Sequence, residues 1–404
     1  MEKIQDIKIK KDIDDVVIFI SNLFDSAIED NISDIHIETT KNFLLIRFRK
    51  DWDFILKDKI SLEHISTIVT RLKVLAKVKI DENKKPQDWK IVYKSEKNWE
   101  TVDIRTSTLP TIYWEKVVMR ILRQDDSLIS LNSIWLLEVN LEKVKEVLKS
   151  KYWIILVAGP TWSWKSTTLF SILKNFNPLD YNISTLEDPV EYNIDFVNQS
   201  QIKPEIGYTF ASWLRSLVRQ DPDIIMVWEI RDKETASLSI EAALTWHMVL
   251  STIHTNSASS TIQRLINMGI EPFLITSSLK MIISQRLVKR ICTNCKVEHH
   301  IDESLKLKVR NVLIEIMEEN EINELKFYKW IWCEKCKNTW YSWRFWVHEI
   351  LVLWEYLEKS ILNMSSASEI HKIAQNHWMI SILQDALIKA AMWNTTLEET
   401  FKLI

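Results

Sequence analysis

Glycine is almost missing from this chain, with 3 residues in 404. Ordinary usage of about 7% would supply roughly 28. The scarcity excludes a collagen-like or glycine-rich low-complexity protein, and it removes the residue that tight turns and phosphate-binding loops need. Long hydrophobic runs are missing as well. The longest, such as Ile154 to Ala158, are far too short to span a bilayer, and no signal peptide opens the chain. A basic tract is also absent, and the net charge is −3, so composition lends no support to a general affinity for nucleic acid or anionic membrane. A protein of this kind working at a membrane is expected to be held there by other proteins. Internal repeats and low-complexity tracts are not found.

What stands in place of glycine is tryptophan, 19 residues of it. It recurs at turn-like places: KDWDF (Trp52), QDWK (Trp89), KNWE (Trp99), NTWYSWRFW (Trp340, Trp343, Trp346) and NHWM (Trp378). After Asp or Asn, these are the dipeptides in which tight turns want glycine. Two explanations are open: the source reads UGA as glycine while the sequence carries it as tryptophan, or the protein is genuinely Trp-rich. Loops that demand positive φ reject bulky side chains, which favours the first. The remaining composition, 46% hydrophobic and 26% charged, is that of a soluble intracellular protein with enough apolar residues for two or three domains.

Along the chain, an amphipathic helix over Val16 to Ile28 and the alternating segments SDIHIE and FLLIRFR predict a small α+β domain over residues 1–124. The polar stretch RQDDSLISLNS has linker composition, placing a linker at 125–133. From 134 to 290 the runs IILVA, NISTLE, IIMV and VLSTI alternate with helical patterns, which predicts a mostly parallel, doubly wound sheet. The four cysteines surround a charged helical insert at 291–340, and a helical region closes the chain over 341–404.

The stretch GPTWSWKSTT, Gly159 to Thr168, follows the strand IILVA and opens a helix. With glycine at 162 and 164 it becomes a phosphate-binding loop, G-x-x-x-x-G-K-[ST], in its proper strand-to-helix context. Its backbone N–H groups and the helix N-terminus would then surround the β- and γ-phosphates of a nucleotide. The candidate nucleotide-binding residues are Gly159, Pro160, Thr161, Trp162, Ser163, Trp164, Lys165, Ser166 and Thr167. Lys165 would reach the β- and γ-phosphates, and the Ser166 hydroxyl would ligate Mg²⁺. As written, Trp164 is expected to spoil the cradle sterically.

In DPDIIMVWEIRD, four apolar residues deliver Glu229 just past the end of a buried strand, and NISTLEDPVEY does the same with Glu187 and Asp188. Ligands of open α/β sheets sit at that edge. Two strand-end acids beside a phosphate loop suit a division between the metal-water shell and water positioning. Histidines 247 and 254 bracket the strand MVLSTI. His254, at the strand end like the acids, is the better γ-phosphate sensor, whereas His247 reads equally well as a hydrogen-bonded structural residue. Arg105 and Arg120 lie in the first domain, where they are either arginine fingers acting across a domain or subunit boundary or surface ion-pair partners.

All four cysteines fall in two C-x-x-C pairs, Cys292 with Cys295 and Cys333 with Cys336, separated by 37 residues. Four thiolates suit tetrahedral structural zinc, with redox use or disulfides as the alternatives.

These stretches resemble, in order, those of the secretion ATPases of type II secretion and type IV pilus assembly. SDIHIE, RLKVLAKVKIDENKKPQDWK and STLPTIYWEKVVMRIL resemble that family's second N-terminal domain. GPTWSWKSTT resembles its Walker A loop, STLEDPVEY its aspartate box, RQDPDIIMVWEIRD its Walker B region and TWHMVLSTIHTN its histidine box. The run INMGIEPFLITSSLKMIISQRLVKRICTNC, followed by CEKCKNTWYSWRFWVHEIL, resembles the approach to and exit from its tetracysteine module. At the family's glycine positions, including 162, 164, 228 and 246, this chain has tryptophan.

The resemblance implies a RecA-like P-loop core using ATP, Mg²⁺ and Zn²⁺, and a homohexamer that hydrolyses ATP between subunits. The ring would sit in the cytoplasm, peripheral at the inner face of the cytoplasmic membrane, and drive a platform protein that assembles a pilus or secretion pseudopilus. By motif, Glu187 polarises the lytic water, Glu229 acts through Mg²⁺, His254 senses nucleotide state, and Arg105 and Arg120 reach phosphate. Direct nucleic-acid binding is not expected. With about 125 residues before the core, docking through an extra N-terminal domain is expected to be missing or differently arranged. The rival classes are a nucleic-acid-translocating P-loop ATPase and, if the tryptophans are real, a catalytically dead scaffold.

Overall fold

The computed structural model describes residues 9–403 apart from 11, 12, 14, 51, 52, 96, 98, 124–129, 151, 162, 191, 192, 204, 205, 335, 337 and 338. The turn expected at Trp52 and the loop position Trp162 therefore lie outside the described residues. The chain divides into two compact units, one ending at Asp125 and the other starting at Asp126.

The first unit runs β1 (Ile9–Lys10), α1 (Val16–Glu29), β2 (Asp34–Thr39), β3 (Leu44–Lys50), β4 (Asp53–Ile60), α2 (Ile65–Ala76), β5 (Gln87–Lys94), β6 (Thr101–Pro110) and β7 (Glu115–Arg123). Helix α1 starts where the Asp15 carboxylate accepts hydrogen bonds from the amides of Val17 and Ile18. Its Ile20, Leu23, Phe24, Ala27 and Ile28 fall on one face at helical spacing and are buried. Against them lies a sheet of order β1-β4-β3-β2-β7-β6-β5, antiparallel except at β1 with β4. Ile35 and Ile37 of β2, Ile104 of β6 and Met119 of β7 complete that core.

The second unit runs α3 (Glu138–Leu148), β8 (Trp153–Ala158), α4 (Lys165–Leu173), β9 (Ile183–Glu187), β10 (Asn198–Gln201), α5 (Phe210–Leu217), β11 (Ile224–Val227), α6 (Lys233–Leu244), β12 (Met248–Ile253), α7 (Ala258–Asn267), α8 (Pro272–Ser278) and β13 (Leu279–Ile291). After these come β14 (Lys296–His299), α9 (Glu303–Leu313), α10 (Glu319–Glu324), β15 (Phe327–Trp330), β16 (Tyr341–Val352), α11 (Glu355–Leu362), α12 (Ala367–Gln375), α13 (Ile382–Ala391) and α14 (Leu397–Phe401).

Its main sheet has the order β10-β9-β11-β12-β8-β13-β16, parallel throughout except for β16. Both faces are covered, as the continuous apolar strands require. Ile154 and Leu156 of β8 pack with α5, α6 and α7 on one face, and Ile155 and Val157 pack with α3 and α4 on the other. Strand β16 departs from the expectation of a helical region over 341–404, because that region opens with twelve residues that complete the core sheet. Of the expected linker, residues 125–129 lie outside the described residues, and 130–133 form a hydrogen-bonded turn with Leu131 buried in the core of the second unit. Among the described residues no helix is long and apolar enough to cross a membrane.

Among the described residues thirteen non-glycine positions have positive φ, and eight are tryptophan: Trp99, Trp135, Trp153, Trp164, Trp246, Trp340, Trp378 and Trp393. Left-handed backbone costs a residue with a Cβ about 1–2 kcal/mol. Eight such positions together reach the size of a whole domain's net stability, roughly 5–15 kcal/mol. Three of them close helices in the same way as a true glycine. Gly269 donates to Ile266 O while Ile270 donates to Leu265 O. Trp246 with His247, Trp378 with Met379, and Trp393 with Asn394 repeat that paired pattern onto Ala243 and Ala242, Gln375 and Ala374, and Ala390 and Lys389. Other tryptophans do not fit a turn. Trp89 lies inside β5, in ladder register with Thr106 of β6, and Trp343 and Trp346 lie inside β16, in register with Arg290 and Leu287 of β13.

Candidate functional site

Parallel β8, β12, β11 and β9 lie side by side, so their carboxyl ends form one edge. From β8 the chain passes through Gly159 into the loop that opens α4. A Cβ at Gly159 would stand 2.6 Å from Gln285 O and 2.6 Å from Ser163 Oγ, so the turn is packed too closely for any side chain there. The loop is held internally by Ser163 Oγ, which donates to Pro160 O at 2.8 Å. Trp164 sits at φ 59°, immediately before α4, with its indole edge-on to Trp343 and Trp346. Trp164 thus holds a left-handed backbone that glycine adopts without cost.

Lys165 folds back over the loop, and its Nζ donates to the carbonyls of Gly159 at 3.0 Å and Pro160 at 3.2 Å. It also lies 3.4 Å from His254 Nδ1, at the end of β12. His254 Nε2 stands 3.3 Å from Glu229 Oε1, beyond the end of β11. Arg231 Nε donates to Glu229 Oε2 at 2.7 Å, and its guanidinium lies 3.7 Å from Asp188, beyond β9. A neutral His254 carrying its proton on Nε2 satisfies both neighbours, accepting from Lys165 and donating to Glu229. Burial, with the Lys165 charge adding to it, holds His254 below its ordinary value against the opposing pull of Glu229. Burial pushes the Lys165 ammonium down to about 8, again opposed by Glu229. A cation depressed in this way gains from an anionic ligand, the kind of group a phosphate loop receives.

Of the residues singled out by motif, the structure brings together Lys165, His254 and Glu229. Ser166 and Thr167 lie in the first turn of α4, beside Lys165. Glu187 ends β9 fully buried, accepting from Thr185 Oγ1 at 2.6 Å and Gln199 Nε2 at 2.9 Å. Arg105 and Arg120 belong to the first unit and are cross-strand partners on β6 and β7, with Arg120 Nε 2.9 Å from Asp34 Oδ1. His247 Nδ1 lies 2.9 Å from Ala242 O, at the turn that precedes β12. Sequence reading missed Arg231, which ties Glu229 towards Asp188. Its position two residues past the strand-end acid is equally that of a solvated loop arginine, so it carried no distinguishing signal.

The second constellation is the cysteine group. Cys292, Cys295, Cys333 and Cys336 place their sulfurs within 4.8 Å of one another, and Cys295 and Cys336 are 3.9 Å apart. Tetrahedral zinc with Zn–S of about 2.3 Å sets sulfurs roughly 3.8 Å apart, so the four residues fit such an ion. Burial, with Cys292 and Cys336 beside it, pushes the Cys295 thiol up to about 12. The short β14–β15 ladder closes the 37-residue insert that separates the two pairs.

Together these features define a class, an α/β protein whose central parallel sheet carries the loop GPTWSWKS between the carboxyl end of an inner strand and a helix. The family follows from comparison. The family described as Type II/IV secretion system protein matches residues 10–402, and the chain belongs to it. It is 41% identical over 381 residues to the type IV pilus assembly ATPase PilB of Thermus thermophilus, covering 94% of this chain and 42% of that protein. It is 38% identical over 389 residues to type II secretion system protein E of Aeromonas hydrophila, covering 96% of this chain and 75% of that protein. In fold it resembles the solved ATPase DotB of Legionella pneumophila, with TM-score 0.69, 19% identity and 98% of each chain covered.

Proposed function

We propose that this chain is a motor ATPase with a RecA-like core, hydrolysing ATP to drive assembly of a type IV pilus or a type II secretion pseudopilus. The observation that carries this is the continuous polar chain from Lys165 through His254, Glu229 and Arg231 to Asp188 across the carboxyl ends of four adjacent strands. Bound ATP would supply the phosphoryl group and Mg²⁺ would neutralise its charge. Lys165 would hold the β- and γ-phosphates, Ser166 and Glu229 would serve the metal and its water shell, and His254 would register the γ-phosphate. Glu187 would polarise the attacking water, and Arg105 and Arg120 would act on the nucleotide of a neighbouring copy. The motor would be a hexamer held by a membrane platform protein on the cytoplasmic side, with structural zinc on the four cysteines.

The proposal includes recoding, in which tryptophan stands where the natural chain has glycine encoded by UGA. Eight left-handed tryptophans, three of them in the capping pattern of Gly269, support it. The test is ATP hydrolysis by the full chain made with its UGA codons read as glycine. Phosphate release that Glu229→Gln abolishes, with one zinc per chain by elemental analysis, is the expected result. Absence of ATP-dependent phosphate release would overturn the motor. Native peptides spanning 152–165 that weigh as tryptophan at 162 and 164 would overturn the recoding and favour a non-hydrolysing scaffold.

A further inference from the structure

Gln285 is polar and wholly buried on a strand whose Leu279, Met281, Ile282 and Ile283 are buried and apolar. An amide taken out of water is destabilising unless its hydrogen bonds are remade, so its partners say why it is there. Its Nε2 donates to the carbonyl of Ser163 at 2.5 Å, and its Oε1 accepts from Thr168 Oγ1 at 2.7 Å. Ser163 is in the phosphate loop and Thr168 in the first turn of α4, so one side chain ties the loop to the helix it opens. Its backbone takes part too, since the Gln285 carbonyl is one of the atoms that leaves no room for a Cβ at Gly159. The neighbouring Ser284 is in parallel register with Ala158, the last residue of β8, which fixes Gln285 behind the turn.

We propose that Gln285 is a positioning residue that sets the curvature of the phosphate loop before nucleotide arrives; this rests on the reading of that loop as a nucleotide site. Both ends of the Gln285 amide are engaged by protein partners, so it acts through the loop. It holds the Ser163 peptide and the start of α4 in one arrangement, so the amides between them need not be ordered at the moment of binding. Removing both hydrogen bonds leaves the loop free to relax outward. The loss then appears as weaker ATP binding rather than slower chemistry.

The experiment uses the full chain with UGA read as glycine, the variants Gln285→Met and Thr168→Val, and their combination. The dissociation constant for ATP with Mg²⁺, turnover at saturating ATP and the melting temperature without nucleotide are measured. Gln285→Met is expected to raise the dissociation constant about tenfold and leave saturated turnover within about twofold. Thr168→Val, nearly isosteric and outside the strand, is expected to raise it about threefold. The double variant should match Gln285→Met alone, because both changes remove the same contact. An unchanged dissociation constant in both single variants would overturn the positioning role while leaving the nucleotide site intact. So would a melting temperature lowered in step with affinity, with the two changes fully additive. If the parent chain binds no ATP, the nucleotide site falls and the role of Gln285 falls with it. Should Gln285→Met not fold, Thr168→Val alone decides, with unchanged affinity counting against the proposal.

Discussion

Two lysines, the buried Lys73 of the first unit and the half-buried Lys165 of the second, are treated in opposite ways. Lys73 of the first unit is buried and donates to Glu115 Oε2 and to Glu82 O, each at 2.7 Å. Its charge is answered by a carboxylate of the protein itself. Lys165 of the second unit is answered by two loop carbonyls and an imidazole, with Glu229 one residue further away, and burial brings its ammonium down to about 8. A buried cation given a direct protein carboxylate serves the fold, whereas a half-buried one met by neutral partners at a sheet edge keeps a charge that an anion would stabilise.

The largest expected effect breaks the first of these lysines. Lys73→Met strands Glu115, whose Oε1 already lacks a hydrogen bond among the described residues. It should destabilise the first unit by about 3–5 kcal/mol, read as a shift of the denaturant midpoint. A shift below 1 kcal/mol would show that Glu115 finds another partner. Next, Lys165→Ala in the glycine-bearing chain should cut ATP turnover by about a hundredfold or more with little change in folding stability. Equal losses of stability and turnover would erase the contrast between the two lysines.

A smaller effect concerns the turns. Trp246 is largely exposed at φ 71°, so Trp246→Gly should raise stability by about 1 kcal/mol by thermal melting. Gly269→Ala should lower it, since its φ is 85° and a Cβ there would lie 3.1 Å from Lys233 Nζ. The smallest effect sharpens the Lys165 side of the comparison. Phosphate oxygens favour its charged form, raising its ionisation above 8 in the complex, so binding takes up a proton between pH 8 and that raised value. Affinity for ATP should therefore fall as pH rises through 8, by at most about tenfold per unit. Calorimetry at pH 8.5 in two buffers of different ionisation heat should show that uptake, and no buffer dependence would deny it.

Much of the site was legible because strand ends are legible. IILVA, IIMV and VLSTI are short apolar runs bounded by polar residues, and in a parallel sheet their carboxyl ends must meet at one edge, which places Lys165, Glu229 and His254 near each other. The four cysteines were legible for a similar reason, since C-x-x-C spacing fixes each pair locally and only their union is tertiary. Arg231 and Gln285 were not legible. Arginine after a strand-end acid is as common on a solvated loop, and a glutamine within an apolar strand gives no hint of which carbonyl or hydroxyl it will meet.

By itself the sequence determined a boundary near residue 125, the order of the central strands' motifs and the chemical character of the loop, because hydrophobic periodicity and motif spacing are local properties of the chain; the further boundaries it drew at 290 and 340 fall inside one compact unit. It also raised the expectation that tryptophan stands in glycine's places, although Trp89, Trp343 and Trp346 lie within strands. Only the tertiary structure decided that β16 closes the core sheet, that Glu187 is buried against Thr185 and Gln199, and that Gln285 braces the loop. Those outcomes depend on contacts between residues far apart in the chain, such as the 122 positions between Ser163 and Gln285, and no local pattern encodes which distant partner a buried polar group will find.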